Sequence, residues 1–413
     1  MRDDTEAATS AGGPLPATRR IEVLDVLRGF ALLGIFIMNM PSFAHSIFTP
    51  PPAQDATLSG SVVFLRELLF AGKFNLIFGM VFGIGFTLQL RRLEQTRPAQ
   101  ATFIYMRRLA VLLVIGLVHA AFFWMGDVLV AYAVLGLGLL AIRRAPDAVV
   151  LALLGACLVF PAVADAMSTH LFSDETQMLS TFEFYQFAST NDVAFGQGGF
   201  LDAVRETMRV FAWAYASPMG LFTVGSFFVQ MATGILAGFL VGRRGWIERL
   251  PALAPRLPAA QWIALGVVLV AAASWWLVGG AAVADGSEDT AASFARTIGR
   301  AALMCFYAVT LVRLALAPAT ARFFRIFALP GRMPLTNYLL QTAMGLAIFY
   351  GWGLGLWGRT TPLEEMALAV GLYALVQLPL SALWLGRFRY GPIEYVWRRL
   401  TYGSLPRRAL QRA

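Results

Sequence analysis

The chain has 413 residues, 58% hydrophobic and 14% charged, with a formal net charge of +9. Soluble domains carry about a quarter charged residues, and a mean hydropathy of +0.65 leaves more apolar surface than a water-facing globule can bury. An ordinary soluble protein is excluded, and nucleic acid is a poor explanation for the basic charge, because the arginines fall in alternate loops between apolar runs.

Residues 1–18 (MRDDTEAATSAGGPLPAT) are polar and lack the apolar core of a signal peptide, so they read as a disordered cytosolic tail. A helix needs about 20 apolar residues to cross the hydrocarbon core. Ten candidates follow, near 23–44, 68–90, 108–125, 127–142, 147–167, 218–242, 260–280, 296–317, 334–352 and 364–386. The expected class is all-α: a polytopic membrane bundle of about ten helices, with five in the half 19–167 and five in the half 218–390.

Arg19, Arg20, Arg91, Arg92, Arg107, Arg108, Arg143, Arg144, Arg243, Arg244, Arg322, Arg325 and Arg387 lie in loops of one side. The other side holds few arginines and acids such as Glu183, Asp285, Glu288 and Asp289. The positive-inside rule then predicts cytoplasmic N- and C-termini. Between the halves, 168–217 is aromatic and acidic. Its VRETMRVFAWAY has the pattern of an amphipathic helix on the outer interface, and the segment reads equally as connecting loop or substrate-facing lid. The tail 391–413 opens with GPIEYVWRRLTYG, which is too polar to span; it reads as an interfacial helix with Glu394 paired locally and its arginines toward headgroups.

Polar residues inside the spans narrow the function. In GLVHAAFFWMGD (116–127), His119 and Asp127 sit within or between spans three and four, where ionisable groups are costly and mark function by default. Eight residues cover about 12 Å of continuous helix, so a bond between them needs the chain to fold back at Met125–Gly126. Asp127 also suits an N-cap, and His119 a bond to a neighbouring helix.

Asp25 and Arg28 share a face of span one, as a local ion pair or as a contact for an anionic cofactor. Asn39 lies about 16 Å further out on the same helix. Lys73, the only lysine, near the outer end of span two, along with Trp124 and Gln230, is a candidate substrate contact in one chamber with His119 and Asp127. Lys73 alternatively snorkels outward. Asn337 and Gln341 (LTNYLLQ) share an i,i+4 face and, with Gln377, suit interhelical bonds or a cofactor. His45 and His170 read as loop residues. Two cysteines, Cys157 and Cys305, and three histidines without close spacing predict neither disulfide nor metal site.

Six stretches resemble the YeiB-like family of bacterial multi-pass membrane proteins (domain of unknown function 418). They are RIEVLDVLRGFALLGIFIMNM (20–40), KFNLIFGMVFGIGFTLQLRR (73–92), GLVHAAFFWMGDVLVAYAVLG (116–136), LAGFLVGRRGW (236–246), LTNYLLQ (335–341) and GPIEYVWRRLTYG (391–403). More distantly, LDVLRG with Asn39 is similar to the first span of heparan glucosaminide acetyltransferases, transmembrane enzymes that carry acetyl groups from cytosolic acetyl-CoA to a sugar beyond the membrane. Their histidine follows the first span at a longer offset than His45; His119 belongs to the YeiB-like motif.

That resemblance implies acyl transfer from acetyl-CoA or another acyl-CoA, without metal, to a small-molecule, lipid-linked or carbohydrate acceptor. His119 would be general base, Asp127 its orienting partner, and Asn39 a donor to the oxyanion. Arg28, with Asp25, Asn337 and Gln341, would meet the acyl-CoA. The expected setting is the bacterial cytoplasmic (inner) membrane, among lipids and without nucleic acid, self-association left open. The alternative is a transporter or exporter, with His119, Asp127 and Lys73 as a proton relay.

Overall fold

The computed structural model describes residues 17–49, 57–171, 174–282 and 290–403. The expected tail at 1–18, but for its last two residues, lies outside them, as do 404–413 and the loop acids Asp285, Glu288 and Asp289. Among the described residues the regular elements are all helices. The first half comprises α1 (Ala17–Ala44), α2 (Leu58–Leu69), α3 (Lys73–Thr96), α4 (Ala101–Phe122), α5 (Leu129–Ile142) and α6 (Asp147–Leu171). Two helices follow, α7 (Asp174–Gly196) and α8 (Phe200–Ala216). Next come α9 (Pro218–Arg243), α10 (Leu250–Leu253), α11 (Leu257–Ala282) and α12 (Thr290–Leu316). Short α13 (Pro318–Phe324) and α14 (Ala328–Gly331) precede α15 (Pro334–Phe349). Then α16 (Pro362–Leu372) passes through a π-turn at Tyr373–Gln377 into α17 (Leu378–Arg387), and α18 (Pro392–Tyr402) ends the described chain.

Eight helical segments are long and apolar enough to cross a membrane, so the chain is a polytopic membrane protein. Two of the ten expected spans are shorter than expected. The spans expected at 127–142 and 334–352 become α5 and α15, of 14 and 16 residues. At 1.5 Å per residue these reach about 21 and 24 Å, short of a core about 30 Å thick. Turns that carry the polar residues of interest take up the remaining length.

Burial ranks the helices. The apolar stretch of α1 is 72% buried and that of Leu250–Val278 only 11%, so α1 is the axial helix and α11 a peripheral one. Against α1 pack α3, α12, α14, α15 and α16. The most extensive pairing is α3 with α9, where small residues let backbones meet. A Cβ on Gly238 would collide with the carbonyl oxygen of Met80, and one on Gly83 with that of Ile235.

Within 168–217 the described residues after α6 form two long helices, α7 and α8, rather than a loop with one short helix. Amphipathic α8 turns Ala203, Glu206, Thr207, Val210 and Ala214 inward, against α4, α7 and α9, so protein covers its inner face. The C-terminal α18 likewise docks on the bundle. Trp397 Nε1 donates to the Arg108 carbonyl at 2.9 Å while the Arg108 guanidinium stacks 3.5 Å over the indole. Glu394 is not paired locally. It accepts from Leu335 N (2.6 Å), Thr336 N (3.0 Å) and Thr336 Oγ1 (2.5 Å), capping the first turn of α15. Burial nonetheless holds its carboxyl above the ordinary range.

The two ends of the bundle differ chemically. One carries the pairs Arg28–Asp25 (2.7 Å), Arg325–Glu22 (3.1 Å) and Arg244–Asp147 (2.9 Å). The other, where α1 ends and α16 begins, carries His45, Glu365, Asn191 and a group of aromatic rings.

Candidate functional site

The site grows from the end of α4. After Phe122 the helix stops, and Phe123 N and Trp124 N both donate to the His119 carbonyl at 3.0 Å. The chain then reverses at Gly126, where a Cβ would collide with the Trp124 ring folded back over it. This reversal carries Asp127 back to the helix it has just left. Asp127 Oδ2 lies 2.7 Å from His119 Nδ1, and Oδ1 accepts from Val130 N at 2.8 Å to begin α5. The cap and the histidine partner are the same side chain, one oxygen each.

On the far side of the imidazole, Nε2 lies 2.9 Å from Thr342 Oγ1 of α15. A carboxylate only accepts, so the Nδ1 proton donates to Asp127, and in the neutral imidazole Nε2 accepts from the Thr342 hydroxyl. Tyr338, one turn earlier on α15, packs its ring 5.4 Å from the imidazole. Its hydroxyl accepts from Val128 N (3.3 Å) and donates to the Gly126 carbonyl (3.4 Å), pinning the reversal. His119, Asp127, Thr342 and Tyr338 are all buried.

Next to this group lies a small, partly open cleft at the His45 end, lined by His45, Ser46, Asn191, Phe195, Tyr350 and Trp357 among others. Trp124, Met125 and Gly126 form one wall, and Trp124 meets the His119 ring edge-on at 6.4 Å between centroids. The reversal thus separates cleft from imidazole.

His45 is more than a loop residue. Its Nε2 lies 2.8 Å from Glu365 Oε1 at the start of α16, and Arg66 Nη1 reaches Glu365 Oε2 at 3.5 Å. The bond to Glu365 raises the His45 pKa above its ordinary 6.5, outweighing partial burial. The partners are 320 residues apart in sequence, so spacing carries no signal for them. Thr342 was equally silent, being one hydroxyl in an apolar span.

The remaining candidates do not join one chamber. Lys73 is buried and donates to the Glu67 carbonyl at 2.7 Å, beside the left-handed Gly72, whose Cβ position lies 2.8 Å from Gln230 Nε2. Lys73 and Gln230 therefore form a locus of their own. Asn39 is half-buried, and its amide makes no hydrogen bond among the described residues. Arg28 holds Asp25 and keeps 26% of its side chain exposed.

Asn337 and Gln341 are stitches between helices. Asn337 Nδ2 donates to Ser381 Oγ and the Met333 carbonyl, both at 3.1 Å. Gln341 Nε2 donates to Gln377 Oε1 (3.0 Å) and the Leu32 carbonyl (3.1 Å). Their donors are committed to this ladder; only Gln341 Oε1 is buried without a partner. Among the described residues no three His, Cys, Asp or Glu side chains converge as a metal site would require.

Residues 241–404 match the family described as "Protein of unknown function (DUF418)". Across 95% of its length the chain is 29% identical to "Uncharacterized protein YxaH" of Bacillus subtilis, covering 96% of that protein. It is 28% identical to "Uncharacterized protein YeiB" of Escherichia coli across 92% of its length and 95% of the relative's. The chain is thus similar to YeiB-like proteins and, over its C-terminal part, to the DUF418 family. A 39.9 kDa protein from the amylase 3' region of Bacillus acidopullulyticus aligns at 28% identity over 94% of the chain and 96% of its own length. No solved structure matches. The DUF418 region contains Thr342, Glu365 and Glu394, while His119 and Asp127 precede it, so the site joins the two halves of the chain.

Proposed function

We propose that this protein is an acyltransferase of a bacterial cytoplasmic membrane. It would carry an acyl group from cytosolic acyl-CoA, with acetyl-CoA the simplest donor, to a hydroxyl or amine on the opposite side. The observation that carries the reading is His119, buried in the bundle with Nδ1 on Asp127 and Nε2 on a hydroxyl. An acceptor O–H or N–H loses its proton as it attacks an acyl carbonyl. Nε2 is placed to take that proton, and Asp127 to stabilise the imidazolium that forms.

The rest of the bundle supplies the two approaches. Arginine suits phosphate through paired donors, and Arg28 retains exposed donors at the arginine-rich end. Gln341 Oε1, an orphaned buried acceptor, suits an amide N–H on the donor's arm. Asn39, whose amide has no partner among the described residues, suits the developing oxyanion. The cleft beside Trp124 takes the acceptor, with the Trp124–Gly126 wall between it and His119.

Transport is the competing reading. It draws on the cleft and on the charged set His45–Glu365–Arg66 beside it. Purified protein in micelles with acetyl-CoA and a cell-envelope lipid extract separates the two. The acyltransferase releases free CoA thiol, and His119→Ala lowers the rate by about 10²–10⁴-fold. Absence of thiol release and of acetyl-CoA binding, with His119→Ala cells behaving as wild type, rejects the reading.

A further inference from the structure

Thr342 is unusual among the helical threonines of this chain. A threonine inside a helix ordinarily returns its hydroxyl to a carbonyl of the preceding turn. Here Thr207, Thr223, Thr310 and Thr401 donate to the carbonyls of Ala203, Met219, Phe306 and Trp397. Thr342 instead turns its hydroxyl onto His119 Nε2, the nitrogen opposite the one that holds Asp127. Hydroxyl, imidazole and carboxylate stand in series, the order that activates a hydroxyl nucleophile.

Its position along the bundle is equally specific. Thr342 lies eight residues after Pro334, at the end where Glu394 caps α15, and eight before Tyr350, which lines the cleft. At 1.5 Å per residue it is about 12 Å from each. A donor headgroup at one end and an acceptor at the other would then lie about 24 Å apart along α15. A group that accepts the acyl chain midway solves the distance.

We propose that Thr342 is the covalent acyl carrier, an inference that rests on the acyl-transfer reading above. Thr342 Oγ1 attacks the thioester carbonyl carbon as its proton passes to His119 Nε2. The C–S bond breaks, and the thiolate leaves with that proton as free CoA thiol. The acceptor hydroxyl or amine then gives its proton to Nε2 and attacks the Thr342 ester. The C–Oγ1 bond breaks, and Oγ1 recovers the proton. No oxidant or further reactant enters. Asp127 touches neither donor nor acceptor and is a positioning residue.

The test uses the full chain in micelles with radiolabelled acetyl-CoA and no acceptor, followed by denaturation, digestion and mass analysis. Wild type is expected to carry a single acetyl adduct on the Thr342 peptide, with matching release of CoA thiol. Thr342→Val, nearly identical in shape, carries none, and Thr342→Ser retains the adduct. Thr342→Cys carries a thioester that neutral hydroxylamine removes while leaving the wild-type ester, a signature a merely structural threonine would not give. An adduct elsewhere, wild-type thiol release by folded Thr342→Val, or thiol release with no adduct on the chain overturns the role of Thr342 and leaves acyl transfer standing. Absence of both adduct and thiol release in the wild type overturns the acyl-transfer reading, and Thr342 falls with it.

Discussion

At Asp127 the two carboxylate oxygens meet different demands: Oδ1 takes the Val130 N–H in the first turn of α5, and Oδ2 takes the His119 ring. Asp127→Asn retains an oxygen for the cap but can turn an N–H toward the imidazole, which favours the opposite tautomer. Thiol release from acetyl-CoA is therefore expected to fall by about 10²–10⁴-fold with little change in melting temperature; equal loss of both would reduce Asp127 to its capping role. His45 gives a pH-dependent expectation. Its folded pKa lies above 6.5 because Glu365 accepts its proton. Its stabilising contribution is complete below about 6.5 and is lost as the pH rises through the higher folded value. The melting temperature of wild type should exceed that of His45→Gln at mildly acidic pH, with the difference closing in alkali. A difference independent of pH would remove the ion pair from the account.

Helices were legible in the sequence because runs of about 20 apolar residues have few alternatives in a bilayer. Shortening of α5 and α15 was not, since it arises where the chain stops spanning to make the Trp124–Asp127 reversal and the turn after Tyr350. His119 and Asp127 stood out as charges amid apolar residues. Their bond depended on a backbone reversal that spacing permits without requiring. Asn337 and Gln341 drew attention as buried amides, yet a buried amide must find partners whatever its role, and theirs are mostly other helices. Pairings such as His45–Glu365 are set by which helices become neighbours, and only tertiary structure supplies that. The α3–α9 contact offers a direct check on element packing. Gly238→Ala is expected to cost about 1–3 kcal/mol by overpacking, because its Cβ meets the Met80 carbonyl. Gly225→Ala on the same helix meets nothing within 4 Å and should leave thermal melting unchanged; matching effects would refute the close approach.

Taken as a whole, the molecule places an arginine-rich end and an aromatic cleft on opposite ends of one bundle, with α15 running between them and Thr342 at its midpoint. Both proposals turn on which nitrogen of His119 carries the proton, because only an unprotonated Nε2 can accept from Thr342 or from an acceptor. The chain has three histidines, so His45→Gln with His170→Gln leaves His119 as the sole imidazole. A ¹⁵N spectrum of that doubly substituted, histidine-labelled protein in micelles at alkaline pH is expected to show a protonated Nδ1 and a bare Nε2, a pattern lost in Asp127→Asn. A protonated Nε2 beside a bare Nδ1 would contradict the account, for His119 would then donate to Thr342 and could take no proton from it.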